Sequence, residues 1–212
     1  LNGTSATIPF GNTRIQKGGT YNSLFDILIA PAQTTANSAE GVDDSGERIR
    51  FNMQRLTSIL DFDLTNSTSD PIRCVLLTAE SDDFLSAKSL NFDLAQGEAA
   101  APALDTEERS KSILINFDGG SASAAAQLDA FFNVLPGNYN LNLDIITATK
   151  QMASVKIDRT DKPFEAGVLY KKEVGTLTPS AIPAPSLDWP DQDIDAIKHY
   201  VINPVEAREA SL

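Results

Sequence analysis

Apolar and polar residues alternate along most of the chain with the period of two that is typical of a β-strand with one buried face and one solvated face. The clearest example is the stretch 131–147, FFNVLPGNYNLNLDIIT. Within it, Pro136 presets the φ angle of a turn and Gly137 accepts the positive φ that often follows. We therefore predict a hairpin here, two β-strands joined by a turn at 135–138.

The same alternation predicts further strands on both sides of this stretch, at 6–10, 13–16, 25–30, 49–53, 60–64, 72–79, 90–94, 113–117, 153–158 and 167–174. Turns are predicted at 66–71 and 159–163 and a loop at 96–111, while the run of small residues 121–126 fits a short helix or a loop equally well. No strong amphipathic helix separates the strands, which argues against a parallel βαβ fold. The pattern predicts an all-β, antiparallel β-sandwich.

Three regions are expected along the chain. Residues 1–47 form an N-terminal β region that ends in a small, polar and acidic loop, 33–47, the best boundary between one lobe and another. Residues 48–177 form the β-sandwich. Residues 178–212 form a tail that is Pro-rich and extended, then helical for a short segment at 191–201, where apolar residues recur at helical spacing.

Composition limits the partners. The net charge of −12 repels phosphate backbones and anionic membrane surfaces, so we expect no nucleic acid partner. The single cysteine, Cys74, lies in an apolar stretch and is predicted to be a buried, inert thiol. No apolar run approaches the ~20 residues of a membrane-spanning helix.

The first residue is Leu1, so we expect a processed form, a cloned segment or an ordered fragment. Whether a secretory signal or a lipid-anchoring cysteine lies upstream is left as an open question.

Candidate chemistry is sparse. A Ser-His-Asp or His-metal scheme would depend on the only histidine, His199, which fits a surface position in the terminal segment better. The densest carboxylate array resembles a calcium loop in part, but Ala196 replaces its turn glycine and Ile202 its bidentate glutamate. That array consists of Asp188, Asp191, Asp193 and Asp195. We therefore expect a protein that is not an enzyme, with no catalytic residues, metal or cofactor.

Two aromatic residues of the tail are candidate ligand contacts. Trp189, the only tryptophan, could stack on a sugar ring, with Tyr200 nearby in the sequence. The alternative, which we favour, is that Trp189 anchors an extended tail onto its own domain.

Three ordered blocks carry a family resemblance. They are RIRFNMQRLTSILDFDLTN at 48–66, FFNVLPGNYNLNLDIIT at 131–147 and FEAGVLYKKEVGTL at 164–177. Together they resemble the fimbrillin family of the Bacteroidales, which comprises major and minor fimbrial subunits and fimbrillin-like lipoproteins.

The resemblance implies a transthyretin-like β-sandwich, often two in tandem, and export to the outer membrane as a lipoprotein. In pilus-forming members it also implies assembly by donor-strand exchange after proteolysis at an arginine. Two features depart from the family: residues before Gly41 are too few for an ordinary first sandwich, and no lipobox cysteine is visible. The first lobe is thus partial or condensed, and the membrane could be reached only through an anchor not visible here.

The expected function is that of a fimbrial subunit or fimbrillin-like protein at the cell surface, acting in adhesion and pilus assembly through strand exchange. Its partners would be other fimbrial subunits or copies of itself, and a host protein or glycan. The alternative is a surface glycan-binding lipoprotein on the same scaffold, with Trp189 and Tyr200 as contacts. An enzyme would require His199 or the neighbouring carboxylates to lie in a cleft.

Overall fold

The computed structural model describes residues 5–9, 15–17, 21, 26–30, 53–80, 85–87, 89–93, 103–104, 109–117, 126–149 and 151–181. Within these ranges the chain forms strands and no helix. The strands are β1 (Ser5–Pro9), β2 (Ile15–Lys17), β3 (Leu28–Ile29), β4 (Gln54–Arg55), β5 (Ser58–Asn66), β6 (Ile72–Ala79), β7 (Ser86–Ala87), β8 (Ser89–Asp93), β9 (Ala103–Leu104), β10 (Arg109–Ser110), β11 (Ser112–Asn116), β12 (Ala126–Val134), β13 (Leu141–Thr147), β14 (Gln151–Ile157), β15 (Leu169–Thr176) and β16 (Ser180–Ala181).

Two sheets form the body of the protein. The larger has six strands in the order β16-β14-β13-β6-β11-β2, and the smaller has three in the order β12-β5-β15. Shorter sheets, β1-β8-β9, β10-β7 and β3-β4, accompany them. Most neighbours are antiparallel, as predicted, but β2 runs parallel to β11 and β15 runs parallel to β5.

The core lies between the two larger sheets. The alternation seen in the sequence places one side of each strand inward: Leu60, Phe62 and Leu64 from β5 meet Leu143 and Ile145 from β13 in one buried cluster. Their burial drives the two sheets together, since each fully buried apolar side chain contributes about 1.5–3 kcal/mol. The predicted all-β sandwich is confirmed.

The six-stranded sheet is buried on its other face as well. Cys74, Leu76, Leu114 and Ile146 form a second buried cluster there, which explains why residues 74–77 of β6 are all apolar. Cys74 is free and fully buried, as predicted, and burial raises the pKa of its thiol to about 12.

A buried carboxylate shares that outer face. Asp144 is 6% exposed and accepts hydrogen bonds from Ser154 Oγ (2.5 Å) and Asn142 Nδ2 (2.9 Å). Burial raises the pKa of Asp144 because desolvation disfavours the charged form, and the two hydrogen bonds offset only part of that cost. This carboxylate therefore destabilises the fold when it is ionised.

The predicted hairpin at 131–147 is wrong in one respect. Its two strands exist, but β12 pairs with β5 in the smaller sheet and β13 pairs with β6 and β14 in the larger one. The connection crosses the core from sheet to sheet instead of folding β13 back onto β12. A period of two cannot separate these cases, because both strands bury one apolar face in a hairpin and in a crossing of this kind.

Tyr139 fixes this connection. Its hydroxyl donates to the carbonyl oxygens of Leu135 (3.0 Å) and Pro136 (3.2 Å), and its ring is 2% exposed and stacks on Phe164 with a centroid distance of 6.2 Å. Gly137 lies directly against the tip of that ring, so a Cβ at this position would stand 2.5 Å from Cζ and Oη of Tyr139. The arrangement is similar to the tyrosine corner of other β-sandwiches.

The reason for a glycine at 137 is therefore different from the one predicted. Positive φ angles occur at Gly167 and Gly175 among the described glycines, whereas Gly137 is not one of them. Gly137 is required by the close approach of the Tyr139 ring, while its own backbone pairs with Phe164 through two hydrogen bonds, 3.0 and 2.8 Å.

Other predicted elements compare as follows. The turn at 66–71 is confirmed, because Asn66 Oδ1 accepts from the Thr68 backbone N–H and Asn66 Nδ2 donates to the Asp70 carbonyl. The predicted loop at 96–111 contains β9 and β10. The boundary loop 33–47, the strand at 49–53 apart from Met53, and the tail after Ala181 lie outside the described residues. So does the small-residue run up to Ala126, where β12 begins.

No helix among the described residues is long and apolar enough to cross a membrane.

Candidate binding seam

One side of the sandwich is open between β14 of the larger sheet and β15 of the smaller sheet. These strands belong to different sheets and share no ladder. Two cavities of similar size follow one another along this opening. One is a groove of about 310 Å³ near Val155 and Val174, lined by both apolar and hydroxyl side chains, and the other is a basic pocket of about 300 Å³ near Arg159 and Tyr170. We call the whole opening the seam.

The β14 side of the seam presents free backbone. Gln151 and Met152 pair with β16, and within the described part of the chain residues 153–157 have no partner on that edge. Ala153, Val155 and Ile157 point towards the core cluster at alternate positions, and Val155 remains half-buried. An edge of this kind combines unpaired N–H and C=O groups with an apolar side, which suits the addition of a further strand.

The β15 side is protected against such pairing. Lys171, Lys172 and Glu173 are exposed along it, and the register shifts between Glu173 and Gly175. Gly175 has a φ of 79°, a conformation that favours glycine. Charged residues and an irregular register are the features that blunt an edge strand. The two sides of the seam therefore differ: in the described part of the chain, the edge of β14 is regular and free, whereas that of β15 is charged and irregular.

The basic pocket is held by the turn at 159–163, which the sequence predicted. Asp158 Oδ1 accepts from both the backbone N–H (3.0 Å) and the hydroxyl (2.7 Å) of Thr160, and these two hydrogen bonds lower the pKa of Asp158. Lys162 N–H donates to the Arg159 carbonyl (2.8 Å), and Arg159 N–H donates to Asn140 Oδ1 (3.0 Å). The loop is thus fixed at both ends before any ligand binds.

Aromatic rings position the Arg159 guanidinium. Its Cζ lies 4.4 Å from the centroid of the Phe164 ring and 4.6 Å from that of Tyr170, and Nε donates to the Lys162 carbonyl (3.1 Å). The two rings meet edge to face at 4.9 Å. Tyr170 is held in turn, because its hydroxyl accepts from the Glu165 N–H at 2.9 Å. Cation–π contacts of this kind orient the guanidinium without neutralising it.

The pocket carries an excess of positive charge. Among the described residues, Arg159, Lys162, Lys171 and Lys172 line it against the single carboxylate of Asp158. Lys171 is already paired with Asp61 of β5 at 3.4 Å, which raises the pKa of Lys171. Within the described ranges the other three cations form no ion pair, although the charge of Lys162 adds to the Thr160 hydrogen bonds in lowering the pKa of Asp158.

The predicted site residues lie elsewhere. Trp189, Tyr200 and His199 are outside the described residues, as is the carboxylate array of Asp188, Asp191, Asp193 and Asp195. Their candidate roles stay predictions. Among the described residues no cluster of His, Cys, Asp or Glu could hold a metal ion.

The sequence reading missed the residues of the basic pocket. It treated 159–163 as a turn and 167–174 as a strand, each for its backbone alone. One signal was present: Arg159, Lys162, Lys171 and Lys172 fall within fourteen residues of a strongly acidic chain. Such a local excess of cations indicates an anion-binding site more strongly in an acidic protein than in a basic one.

The chain matches no family model and no curated protein. A solved structure from Bacteroides uniformis, described as a candidate cell adhesion protein, is 15% identical over 82% of this chain and 62% of its own, with a TM-score of 0.49. Another, from Bacteroides ovatus and described in the same way, is 14% identical over 79% of this chain and 61% of its own, with a TM-score of 0.40. This chain spans about three fifths of the length of these structures. At these values the likeness assigns no function, and the proposals below rest on the seam itself.

Proposed function

We propose that this chain is a cell-surface subunit that acts in adhesion and assembles with fimbrial subunits or with copies of itself by strand exchange at the seam. The observation that carries the proposal is the free edge of β14 at 153–157 beside a groove lined in part by Val155 and Val174. In this role the protein works through backbone pairing and shape, with no catalytic group.

The geometry supports an extended segment as the occupant. A strand added to 153–157 would complete backbone hydrogen bonds on that edge and place alternate side chains into the groove between Val155 and Val174. Both valines are half-buried and pack against the main core cluster, so an apolar side chain from a partner would extend that core. Burial of apolar area contributes roughly 25 cal/mol per Å², which makes even a short strand a useful anchor.

The proposed location follows from the proposed role. A subunit of a fimbria stands outside the outer membrane, and any attachment to the membrane would be through a lipid anchor. Reading the protein's amino-terminal sequence in the intact gene tests this directly. A signal followed by a cysteine supports the location, and an initiator methionine placed directly before the first strand contradicts it.

The assembly proposal is tested by blocking the groove. Val155→Glu places a charge inside the groove, at a half-buried position, while Lys156→Glu introduces the same residue next to it on the exposed side of the strand. Lys156 makes a surface ion pair with Glu80 (3.0 Å), whose loss costs about 0–1 kcal/mol. Laddering in SDS without heating and electron microscopy of the full-length protein report assembly.

We expect the full-length protein to form SDS-resistant ladders, Val155→Glu to abolish them and Lys156→Glu to retain them. Circular dichroism of both variants shows whether each remains folded. Unchanged ladders in a folded Val155→Glu protein would refute assembly at the seam, and a strictly monomeric wild-type protein would refute assembly altogether.

The alternative function, a surface glycan-binding lipoprotein, was predicted from Trp189 and Tyr200. A glycan array with Trp189→Ala as the control tests that prediction. Binding that is lost in the variant supports it, and binding that is absent or unchanged removes the reason for it.

A further inference from the structure

We propose that the basic pocket beside Arg159 binds one acidic sugar residue, carrying a carboxylate or a sulfate, at the end of a glycan chain. This site adjoins the free edge of β14, with Ile157 at the boundary of both, and its ligand goes beyond strand exchange. It also differs from the predicted contacts at Trp189 and Tyr200. Three features of the pocket lead to this ligand: its charge, its floor and its rigidity.

Charge selects the anion. Among the described residues, Arg159, Lys162 and Lys172 line the pocket and form no close ion pair. Asp158, the one acid that lines it, is hydrogen-bonded to Thr160 and interacts with Lys162 at longer range. The protein as a whole carries a net charge of −12, so its long-range field repels anions. An excess of cations confined to one pocket can still hold an anion at short range, through charge-assisted hydrogen bonds.

The apolar residues of the pocket indicate what kind of molecule carries the anionic group. Leu60, Phe62 and Ile157, which are buried, line the pocket together with the half-buried ring of Tyr170, and we call these apolar residues its floor. An apolar floor below a cationic rim fits an anionic group on a ring that has an apolar C–H face, as a sugar has, better than a fully hydrated inorganic ion. The volume of about 300 Å³ is at the lower end of the range for ligand pockets, so it suits one ring.

Rigidity reduces the entropic cost of binding. The Arg159 guanidinium lies against both Phe164 and Tyr170, and the Arg159 backbone N–H is bonded to Asn140. Phe164 is paired with Gly137 through two hydrogen bonds. A guanidinium that is already oriented loses little freedom when it engages a carboxylate or sulfate. Lys162 and Lys172 are exposed and line the same pocket.

Binding of defined sugars to the full-length protein tests the proposal by isothermal titration calorimetry. The probes are 3′-sialyllactose for the carboxylate, 6-sulfated lactose for the sulfate, unmodified lactose as the neutral control, and inorganic sulfate as the bare anion. We expect at least one acidic sugar to bind, lactose and inorganic sulfate to bind at least about tenfold more weakly, and binding to weaken with added salt, since the Debye length falls to about 3 Å at 1 M.

Three lysine variants locate the site. Lys162→Gln and Lys172→Gln each remove one cation of the rim and are expected to weaken binding about five- to tenfold. Lys156→Gln removes the same charge from the opposite face of β14 and serves as the matched control, with no change expected. All three residues are exposed, so loss of folding does not complicate the comparison. Arg159 is left unchanged because its removal would also disturb the aromatic contacts.

Several results would overturn the proposal. Equal weakening by Lys156→Gln would indicate a general charge effect, and equal binding of lactose or of inorganic sulfate would exclude an acidic sugar as the specific ligand. Competition by a hexaglutamate peptide as effective as the sugar would assign an acidic peptide instead. Absence of binding by both acidic sugars would refute the site. The Val155→Glu protein should bind the acidic sugar normally, so the outcome is independent of strand exchange.

Discussion

Replacement of Gly137 by alanine should destabilise the protein strongly even though its backbone conformation permits any residue. The new Cβ would lie 2.5 Å from Cζ and Oη of Tyr139, far inside van der Waals contact. The tyrosine cannot swing away at low cost, because it is 2% exposed, stacks on Phe164 and donates to two carbonyl oxygens. The clash must therefore be relieved by displacing the connection between the two sheets.

The size of the effect follows from two contributions. Overpacking of a well-packed site costs about 1–3 kcal/mol, and loss of the Tyr139 hydroxyl bond adds about 1 kcal/mol. The sum, about 2–4 kcal/mol in the free energy of unfolding, corresponds to a fall in melting temperature of about 4–16 °C for a chain of this length. Urea unfolding followed by circular dichroism measures the first quantity, and a thermal melt measures the second.

Two controls separate the clash from a conformational effect. Gly175→Asn should cost little, because asparagine adopts a positive φ and nothing lies within 4 Å of a Cβ there, whereas Gly137→Asn should cost as much as Gly137→Ala. In a Tyr139→Leu background, which lacks Cζ and Oη, the cost of Gly137→Ala should fall by about 1–3 kcal/mol. A cost of Gly137→Ala below 1 kcal/mol, or one unchanged by Tyr139→Leu, would refute the reasoning.

Three further predictions concern buried groups. Cys74 should resist thiol reagents at pH 8 in the native protein and react on addition of urea, because burial raises its pKa to about 12; rapid labelling of folded protein would contradict this. Asp144→Asn should stabilise the protein at pH 7 and have little effect below about pH 4, since a carboxyl with a raised pKa favours folding only while it is protonated. Urea unfolding across this pH range measures the effect, and a loss of stability at pH 7 would contradict the prediction. Leu143→Ala should cost about 2–5 kcal/mol, as the side chain is fully buried between the sheets; a urea midpoint close to wild type would show that the core lies elsewhere.

The sequence predicted the long strands well because their physical signal is local. β5, β6, β13 and β14 each contain a run long enough to show which side is buried, and their observed bounds lie close to the predicted ones. The shortest strands were missed for the same reason. β7, β9 and β10 have two residues each, and two residues have no period.

The sequence could not predict which strands pair. The parallel alignment of β15 with β5 joins residues more than a hundred positions apart, and alternation carries no information about direction or partner. The role of Gly137 was misjudged in the same way, since the constraint comes from the Tyr139 ring folding back over it. The basic pocket also depends on long-range contacts, because Arg159 is positioned by Asn140, Phe164 and Tyr170 rather than by its neighbours along the chain alone.

The parallel pairing of β5 with β15 has a mechanical consequence. Seven residue pairs join these strands, from Leu169 opposite Ile59 to Thr176 opposite Thr65. A tensile load that pulls β5 towards its amino end and β15 towards its carboxyl end slides the strands past each other. All the backbone hydrogen bonds between the two strands then resist the load together instead of breaking one at a time. A force applied between the segment before β5 and the segment after β15 would therefore be resisted most strongly by the smaller sheet, next to the seam where a neighbouring subunit is proposed to bind.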